Sequence, residues 1–341
     1  MKKSFALKVF PIPILLSIGI LLITCSDTVK QGVADGLELC GETLLPSLFI
    51  FLCICNTAIG YSEVKIPFFS RAYAAVFHAP ANTAVLFLLS LIGGYPVGAM
   101  LCARMVDEKK LTTAQAKYLP LFCCCSGPAF CVLAVGETMC GSKTVGLILL
   151  CACVLPQILI GIAIGIFIRK KQICKVDLLY ANPPTLSRSF TEGVDTSITG
   201  ILHICAYVII FCVVLRFVKM IPVSHTVQNY ICAFLEVTTG AKCFANNVPM
   251  VAFILGFGGI SVLLQIKKYL SLTGTKVSLF LLCRLVSGSL AFMICKGLLL
   301  IFPQSIPTLA GGIQVHAVSF SAPLSAVLVM SFCVFVMSDK F

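Results

Sequence analysis

The feature that most constrains this chain is an apolar stretch, residues 90–103, interrupted at its centre by Gly93-Gly94-Tyr95-Pro96. A glycine pair weakens a helix, and a proline removes a backbone donor and biases the preceding residue away from the helical region. Because the chain is 59% hydrophobic and 11% charged, the break belongs to a polytopic membrane protein. Lipid cannot form hydrogen bonds with the backbone groups that a break frees, so the break must lie against protein or a water-filled cavity. We therefore predict that these four residues line a binding site.

Two later interruptions extend this pattern. Ser126-Gly127-Pro128 separates apolar arms that are each shorter than the ~20 residues a spanning helix needs. This favours a re-entrant hairpin, with a short helix over residues 112–125 as its first arm, over a tight loop between two spans. Gly258-Gly259 interrupts a third stretch, residues 254–269, which matches the first in order and character.

The order of elements recurs in the two halves of the chain. A polar opening near Gly36 precedes the first glycine pair, and one near Gly193 precedes the second. Interrupted segments at corresponding places in two halves point to the central site of a transporter, whereas chance similarity among apolar segments is the alternative. We predict an all-α polytopic membrane protein of two related halves, with broken helices, re-entrant hairpins and about eight to ten spans and hairpins.

The predicted boundaries follow the charges. Arg169 and the lysines after it stop a clear span and mark a cytoplasmic segment. An uncleaved N-terminal span is favoured over a signal peptide because further spans follow. The predicted parts are an N-terminal transmembrane helix (residues 1–28), a first repeat (29–171), a cytoplasmic linker (172–188), a second repeat (189–302), and a loop with a C-terminal transmembrane segment (303–341).

Two of the charged residues inside apolar segments of the second half are candidates for function, whereas a third, Lys296, lies near the end of its span and can snorkel to the interface. Glu236 is a lone acid in 234–240, and Arg284 lies within the span predicted over 277–302. Charges inside spans are costly and are by default functional candidates. A structural ion pair between Glu236 and Arg284 is the equally weighted alternative.

A helix near the start of the first repeat carries three acids on one face, Asp35, Glu38 and Glu42. Its position favours a solvated interfacial face, and a coupling-ion or proton role is the weaker alternative. Pro46 is predicted to end or kink this helix.

The formal net charge is +12, but the basic residues lie between apolar runs, where they orient spans, so nucleic-acid binding is not indicated. The 20 cysteines contain no CxxC spacing and are interpreted as small, reduced apolar residues. We therefore expect no metal site and no cofactor. Because no nucleophile–base or His/Cys/Asp set is suitably spaced, we expect no catalytic residue and no enzymatic activity.

Six motifs carry a resemblance to a known family. They are LLPSLFIF at 44–51, SLIGGYPVGA at 90–99, FCCCSGPAF at 122–130, FLEVTTG at 234–240, GFGGISVLLQ at 256–265 and CRLVSG at 283–288. In content and order they resemble the YlbJ-like sporulation integral membrane proteins, which belong with the nucleoside recognition or Gate domain proteins. The resemblance makes the two repeats Gate-like and implies a fold similar to concentrative nucleoside transporters and to the membrane part of ferrous-iron transporters.

The resemblance also implies a role in endospore formation, with transport of dipicolinic acid across a forespore membrane as the activity. The expected partners are a small organic anion and the lipid bilayer in a bacterial cell membrane, and a homo-oligomer is left open. The alternatives are a non-transporting membrane scaffold or assembly factor, and a nucleoside transporter. The predicted substrate site comprises Gly93, Gly94, Tyr95, Pro96, Ser126, Gly127, Pro128, Glu236, Thr238, Gly258, Gly259, Gln265 and Arg284.

The chain departs from the family pattern at positions that bear on the substrate. Cys124 and Cys125 replace asparagines before the Ser-Gly-Pro tip, Met100 replaces a frequent lysine, and leucine near position 263 replaces a frequent histidine. Fewer amide donors and positive groups weaken recognition of a dicarboxylate. The fold is expected to survive these changes more readily than the identity of the substrate.

Overall fold

The computed structural model describes residues 11–59, 67–169 and 186–302, which form helices and connections without a β-strand. The α-helices are α1 Pro11–Thr24, α2 Ser26–Glu38, α3 Leu45–Ile59, α4 Pro67–Phe77, α5 Ala84–Gly93, α6 Tyr95–Asp107, α7 Thr113–Ala116, α8 Lys143–Arg169, α9 Leu186–Met220, α10 His225–Leu235, α11 Val237–Cys243, α12 Val248–Phe257, α13 Gly259–Thr273 and α14 Val277–Ile301. Two π-helices, Leu39–Leu44 and Ala129–Met139, and two 3₁₀ turns, Ala81–Thr83 and Leu119–Leu121, complete the described part.

Five helical segments of the described part are long and apolar enough to cross a membrane, and a pair bent by 108° raises the number to six. They are Ser26–Ala58, Lys143–Phe167, Ser187–Met220, Val248–Thr273 and Val277–Ile301, with the bent pair Phe68–Phe77 and Ala81–Gly93. These segments confirm the predicted all-α polytopic membrane protein. Most of the predicted linker and the C-terminal segment 303–341 lie outside the described residues.

The two openings noted in the sequence form one long antiparallel helix pair. The segment α2–π–α3 runs against α9, with Thr28 beside Met220 at one end and Asn56 donating to Ser197 Oγ at 2.8 Å near the other. A Cβ added at Gly36 would lie 2.7 Å from the Cα of Ile209. Such small residues let two membrane helices approach closely.

The acidic face of this pair differs from the expected one. Asp35 is not simply solvated, because Arg216 of α9 donates two hydrogen bonds to its carboxylate, at 2.5 and 2.7 Å. The structure does not show the helix ending at Pro46, which is one of the two outcomes predicted for that proline. The chain passes through the π-helix Leu39–Leu44 directly into α3, so the proline near the start of α3 lies within one continuous spanning segment.

A second antiparallel pair, α8 and α14, supports the opposite side of the bundle. Gln157 of α8 donates to Ser287 Oγ of α14 at 2.7 Å. A Cβ added at Gly256 of α12 would lie 2.8 Å from the Cα of Gly288, so α12 packs closely on α14. The broken helices and the predicted hairpin lie between these two pairs.

Candidate functional site

The first predicted break is present at Gly94. Helix α5 ends at Gly93, Gly94 has φ +82° and ψ −167°, and α6 begins at Tyr95 with Pro96 in its first turn. Only glycine adopts this backbone region without strain. Proline tolerates the first turn because its missing donor would have no helical partner there. The sequence signal and the backbone therefore agree.

The second predicted break is present between α12 and α13. Gly258 and Gly259 have φ of 89° and 76°, so both residues are in the left-handed region. Helix α12 ends at Phe257 and α13 starts at Gly259, which leaves the last carbonyls of α12 without helical donors.

The arm before the Ser126–Gly127–Pro128 tip was predicted as a helix over 112–125, and this is wrong beyond its first turn. Thr112 caps α7 with a capping box that includes Gln115, but α7 ends at Ala116 and only the turn Leu119–Leu121 follows. The remaining residues before the tip are not helical. The backbone carbonyls of Leu121 and Cys124 instead accept hydrogen bonds from the buried Arg284.

The three interruptions meet at one backbone carbonyl, that of Leu255 in the last turns of α12. The hydroxyl of Tyr95, from the first break, donates to it, and the hydroxyl of Ser126, from the hairpin tip, donates to it at 3.2 Å. A Cβ added at Gly94 would lie 3.3 Å from the Gly127 nitrogen, and one at Gly258 would lie 3.1 Å from Cζ of Tyr95. Elements far apart in the sequence therefore form one site.

An inner cavity opens at this meeting point. The volume that centres of water molecules can reach in it is about 60 Å³, which accommodates a few waters. Nine of the predicted site residues line it: Gly93, Gly94, Tyr95, Pro96, Ser126, Gly127, Glu236, Thr238 and Gln265. Leucine, isoleucine, valine and phenylalanine side chains supply most of the remaining wall. Pro128, Gly258, Gly259 and Arg284 are not part of the lining.

Glu236 is fully buried and forms the N-cap of α11. Its carboxylate accepts hydrogen bonds from the backbone nitrogens of Thr238 at 3.0 Å and Thr239 at 2.6 Å. A carboxylate is stabilised by the positive end of a helix in this way. The alternative ion pair with Arg284 is not formed, because the partners of Glu236 are these backbone groups.

Arg284 supports the hairpin and does not face the inner cavity. It is 2% exposed, and its guanidinium donates to the backbone carbonyls of Cys124 and of Leu121, the latter at 2.9 Å, and to Gln157 Oε1 at 2.8 Å. A planar guanidinium suits several acceptors at fixed positions. Arg284 therefore holds the non-helical arm of the hairpin against α8.

Two further cavities, which sequence reasoning missed, continue the inner cavity along the α2–α3 and α9 pair. The charged cavity, of about 420 Å³ by the same measure, is lined in part by Asp35, Glu38, Glu42, Arg216, Lys219 and Lys242. The far cavity shares Leu52, Pro96, Ile204 and Gln265 with the inner one and extends to Met100 and His203. The α2–π–α3 segment contributes residues to all three cavities in chain order. Residues within 35–43 line the charged cavity, residues within 44–52 the inner cavity, and residues within 52–56 the far cavity.

The shared Leu255 carbonyl allows a quantitative prediction. Tyr95→Phe or Ser126→Ala alone is expected to lower stability by about 1 kcal/mol, because the other hydroxyl still satisfies the carbonyl. The double variant is expected to lose about 3 kcal/mol, because a buried carbonyl is then left without a donor. Thermal unfolding of the four proteins in detergent measures the coupling. Strictly additive losses would show that the two hydroxyls do not share this acceptor.

Comparison with known proteins gives one informative relative. The chain is 23% identical over 307 residues, covering 76% of this chain and 74% of the relative, to the sporulation integral membrane protein YlbJ of Bacillus subtilis strain 168. No protein-family model matches the chain, and no solved structure matches it.

This similarity covers most of the chain, and the spanning helices agree with the description of the relative as an integral membrane protein. The motif SLIGGYPVGA provides the first break, FCCCSGPAF the hairpin tip, and GFGGISVLLQ the second break. On this combined evidence the chain is an integral membrane protein that is similar to the sporulation integral membrane protein YlbJ.

Proposed function

We propose that the protein moves a small organic anion across the membrane, with dipicolinic acid, the substrate that the family resemblance implies, as the first candidate. The observation that carries this proposal is the series of three cavities along the α2–α3 and α9 pair, whose middle member lies at the broken helices. Broken helices near the membrane centre are typical of substrate sites in secondary transporters. Two related halves are part of the same proposal.

The chemistry of the inner cavity supports a carboxylate ligand in a specific way. The first turn of α6, which begins at Tyr95, lies at the inner cavity, and helix N-termini offer backbone donors and a partial positive charge to anions. Among the residues that line the inner cavity, Glu236 carries the carboxylate, and α11 already compensates it through two backbone hydrogen bonds. Arg284 acts indirectly, by fixing the hairpin that carries Ser126 and Gly127.

The test is dipicolinate uptake into proteoliposomes that contain the purified protein. Val208 is buried and lines the inner cavity, so Val208→Trp fills the pathway and is expected to reduce uptake at least about tenfold. Val214 on the same helix is 40% exposed on the outer surface, so Val214→Trp is the matched control and is expected to transport normally. Equal uptake by all three proteins would place the pathway elsewhere.

The competing proposal is a non-transporting membrane scaffold or assembly factor in spore maturation. It gives a different result in a strain lacking the protein. A scaffold tolerates Val208→Trp if the variant still folds and inserts, so sporulation is restored. If the protein is a transporter, the Val208→Trp variant that does not take up dipicolinate in vesicles also does not restore sporulation.

A further inference from the structure

The charged cavity is lined by ionisable side chains that belong to candidate spanning segments. Glu38 and Glu42 belong to the span Ser26–Ala58, and Arg216 belongs to Ser187–Met220. Charged groups within a spanning segment are costly in lipid and occur where they line a water-filled cavity or pair with one another. The cavity is about seven times larger than the inner one, 420 against 60 Å³, and therefore admits a solute with its water.

The acidic and basic residues of this cavity come from different walls. The three acids, Asp35, Glu38 and Glu42, lie on α2 and the π-helix that follows it, whereas the three bases, Arg216, Lys219 and Lys242, lie on α9 and α11. The formal charge of the lining is therefore balanced. A balanced lining gives no net attraction to a lone anion or a lone cation. It favours a ligand whose positive part faces the acidic wall and whose negative part faces the basic walls.

Two of the six charges are already used. Asp35 and Arg216 neutralise each other through two hydrogen bonds. Glu38, Glu42, Lys219 and Lys242 form no ion pair within the part of the chain that the structure describes, and all four side chains are exposed. The cavity thus presents two carboxylates on one wall and two ammonium groups on the others.

We propose that the charged cavity admits the organic anion together with a cation, the anion bound by Lys219 and Lys242 and the cation by Glu38 and Glu42. The inference rests on the proposed transport and adds a coupling ion to it. Two lysines match the two carboxylates of a dicarboxylate, and two glutamates match a hard cation such as sodium or calcium, which prefers oxygen ligands. The cation completes its ligand set with water or with the oxygens of the anion.

Charge along the chain indicates the side on which this cavity opens. The basic run that begins at Arg169 follows α8, and by the positive-inside rule it lies in the cytoplasm. Helix α9 starts after this run and crosses once, so Lys219 near its end lies on the opposite side. The anion and its cation therefore enter the charged cavity from outside the cytoplasm and meet the inner cavity next.

The experiment measures dipicolinate uptake into proteoliposomes, and dipicolinate binding to the detergent-solubilised protein by equilibrium dialysis, in sodium, calcium or choline chloride at constant ionic strength. Choline is the cation that two carboxylates cannot coordinate. For the wild type we expect the half-saturating dipicolinate concentration to fall as sodium or calcium replaces choline. The ion that produces this fall identifies the coupling cation.

Two double variants separate the two halves of the proposed site. Lys219→Gln with Lys242→Gln is expected to raise the half-saturating concentration about tenfold in every salt. Glu38→Gln with Glu42→Gln is expected to raise it about as much in sodium or calcium and to abolish the difference from choline. Asp27→Asn with Lys30→Gln removes an exposed ion pair from the same helix, outside the cavity, and is expected to behave as the wild type.

The direction in which the glutamate double variant changes the half-saturating dipicolinate concentration is the decisive result. If the cavity attracted the anion alone, removing two negative charges would lower the half-saturating concentration, and the proposal would be overturned. Absence of dipicolinate binding in every salt would overturn it too. Salt-dependent binding without uptake would instead contradict the proposed transport and leave the paired-ion site standing. Uptake that both double variants leave unchanged would overturn the paired-ion site and leave the proposed transport standing.

Discussion

Replacing Arg284 with methionine is expected to lower the stability of the folded protein by about 3–5 kcal/mol, the largest loss among the changes considered. The substitution preserves an apolar stem but removes the donors to the carbonyls of Leu121 and Cys124 and to Gln157 Oε1. Three buried acceptors are then left without partners, because Arg284 is the donor that the described part of the structure provides to each of them. Thermal unfolding of the purified protein, followed by the fraction that stays monodisperse in detergent, measures the effect.

Two other variants isolate the cause of this loss. Arg284→Lys keeps the charge but cannot reach several fixed acceptors at once, so a loss between those of wild type and Arg284→Met is expected. Lys296 lies on the same helix α14, is exposed, and contacts the Phe292 ring at 5.8 Å, so Lys296→Met is the matched control and should change stability little. An Arg284→Met protein that is as stable as the control would show that the hairpin does not depend on the guanidinium.

The sequence allowed the three interruptions to be predicted because their causes are local. Glycines with positive φ at 94, 258 and 259, and a proline after Gly127, alter the backbone wherever the chain places them. The same locality accounts for six of the nine predicted residues that line the inner cavity, because these six belong to the first break and the hairpin tip. Residues at a break have free backbone groups, and such groups collect around a cavity or a neighbouring element.

What the sequence did not disclose depends on contacts between distant segments. Arg284 is deep in a span, which marks it as important, but only the fold shows that it binds carbonyls of the hairpin. The same holds for Asp35, whose partner Arg216 lies 181 residues away. The predicted helix over 112–125 failed because that tertiary arginine satisfies the carbonyls, which removes the usual cost of leaving the helix.

Replacing Gly94 with alanine is expected to reduce dipicolinate uptake at least about tenfold and to lower stability by about 1–3 kcal/mol. At φ +82° and ψ −167° an alanine is strained, and its Cβ would lie 3.3 Å from the Gly127 nitrogen at the hairpin tip. Relief of this strain requires α5 and α6 to change direction, which moves Tyr95 away from the Leu255 carbonyl and separates the elements that form the inner cavity.

The control for this prediction is the same substitution at a glycine without these constraints. Gly297 lies inside α14, no atom is within 4 Å of its added Cβ, and its φ is not positive. Gly297→Ala is therefore expected to raise stability by about 0.5–1 kcal/mol, through the better helix propensity of alanine, and to leave uptake unchanged. Opposite signs for the two alanines would tie the loss at Gly94 to the break itself, because the added methyl group is identical. A Gly94→Ala protein with normal stability and uptake would show that the backbone at residue 94 does not need a conformation restricted to glycine. The assignment of the first break to the wall of the inner cavity would then be wrong.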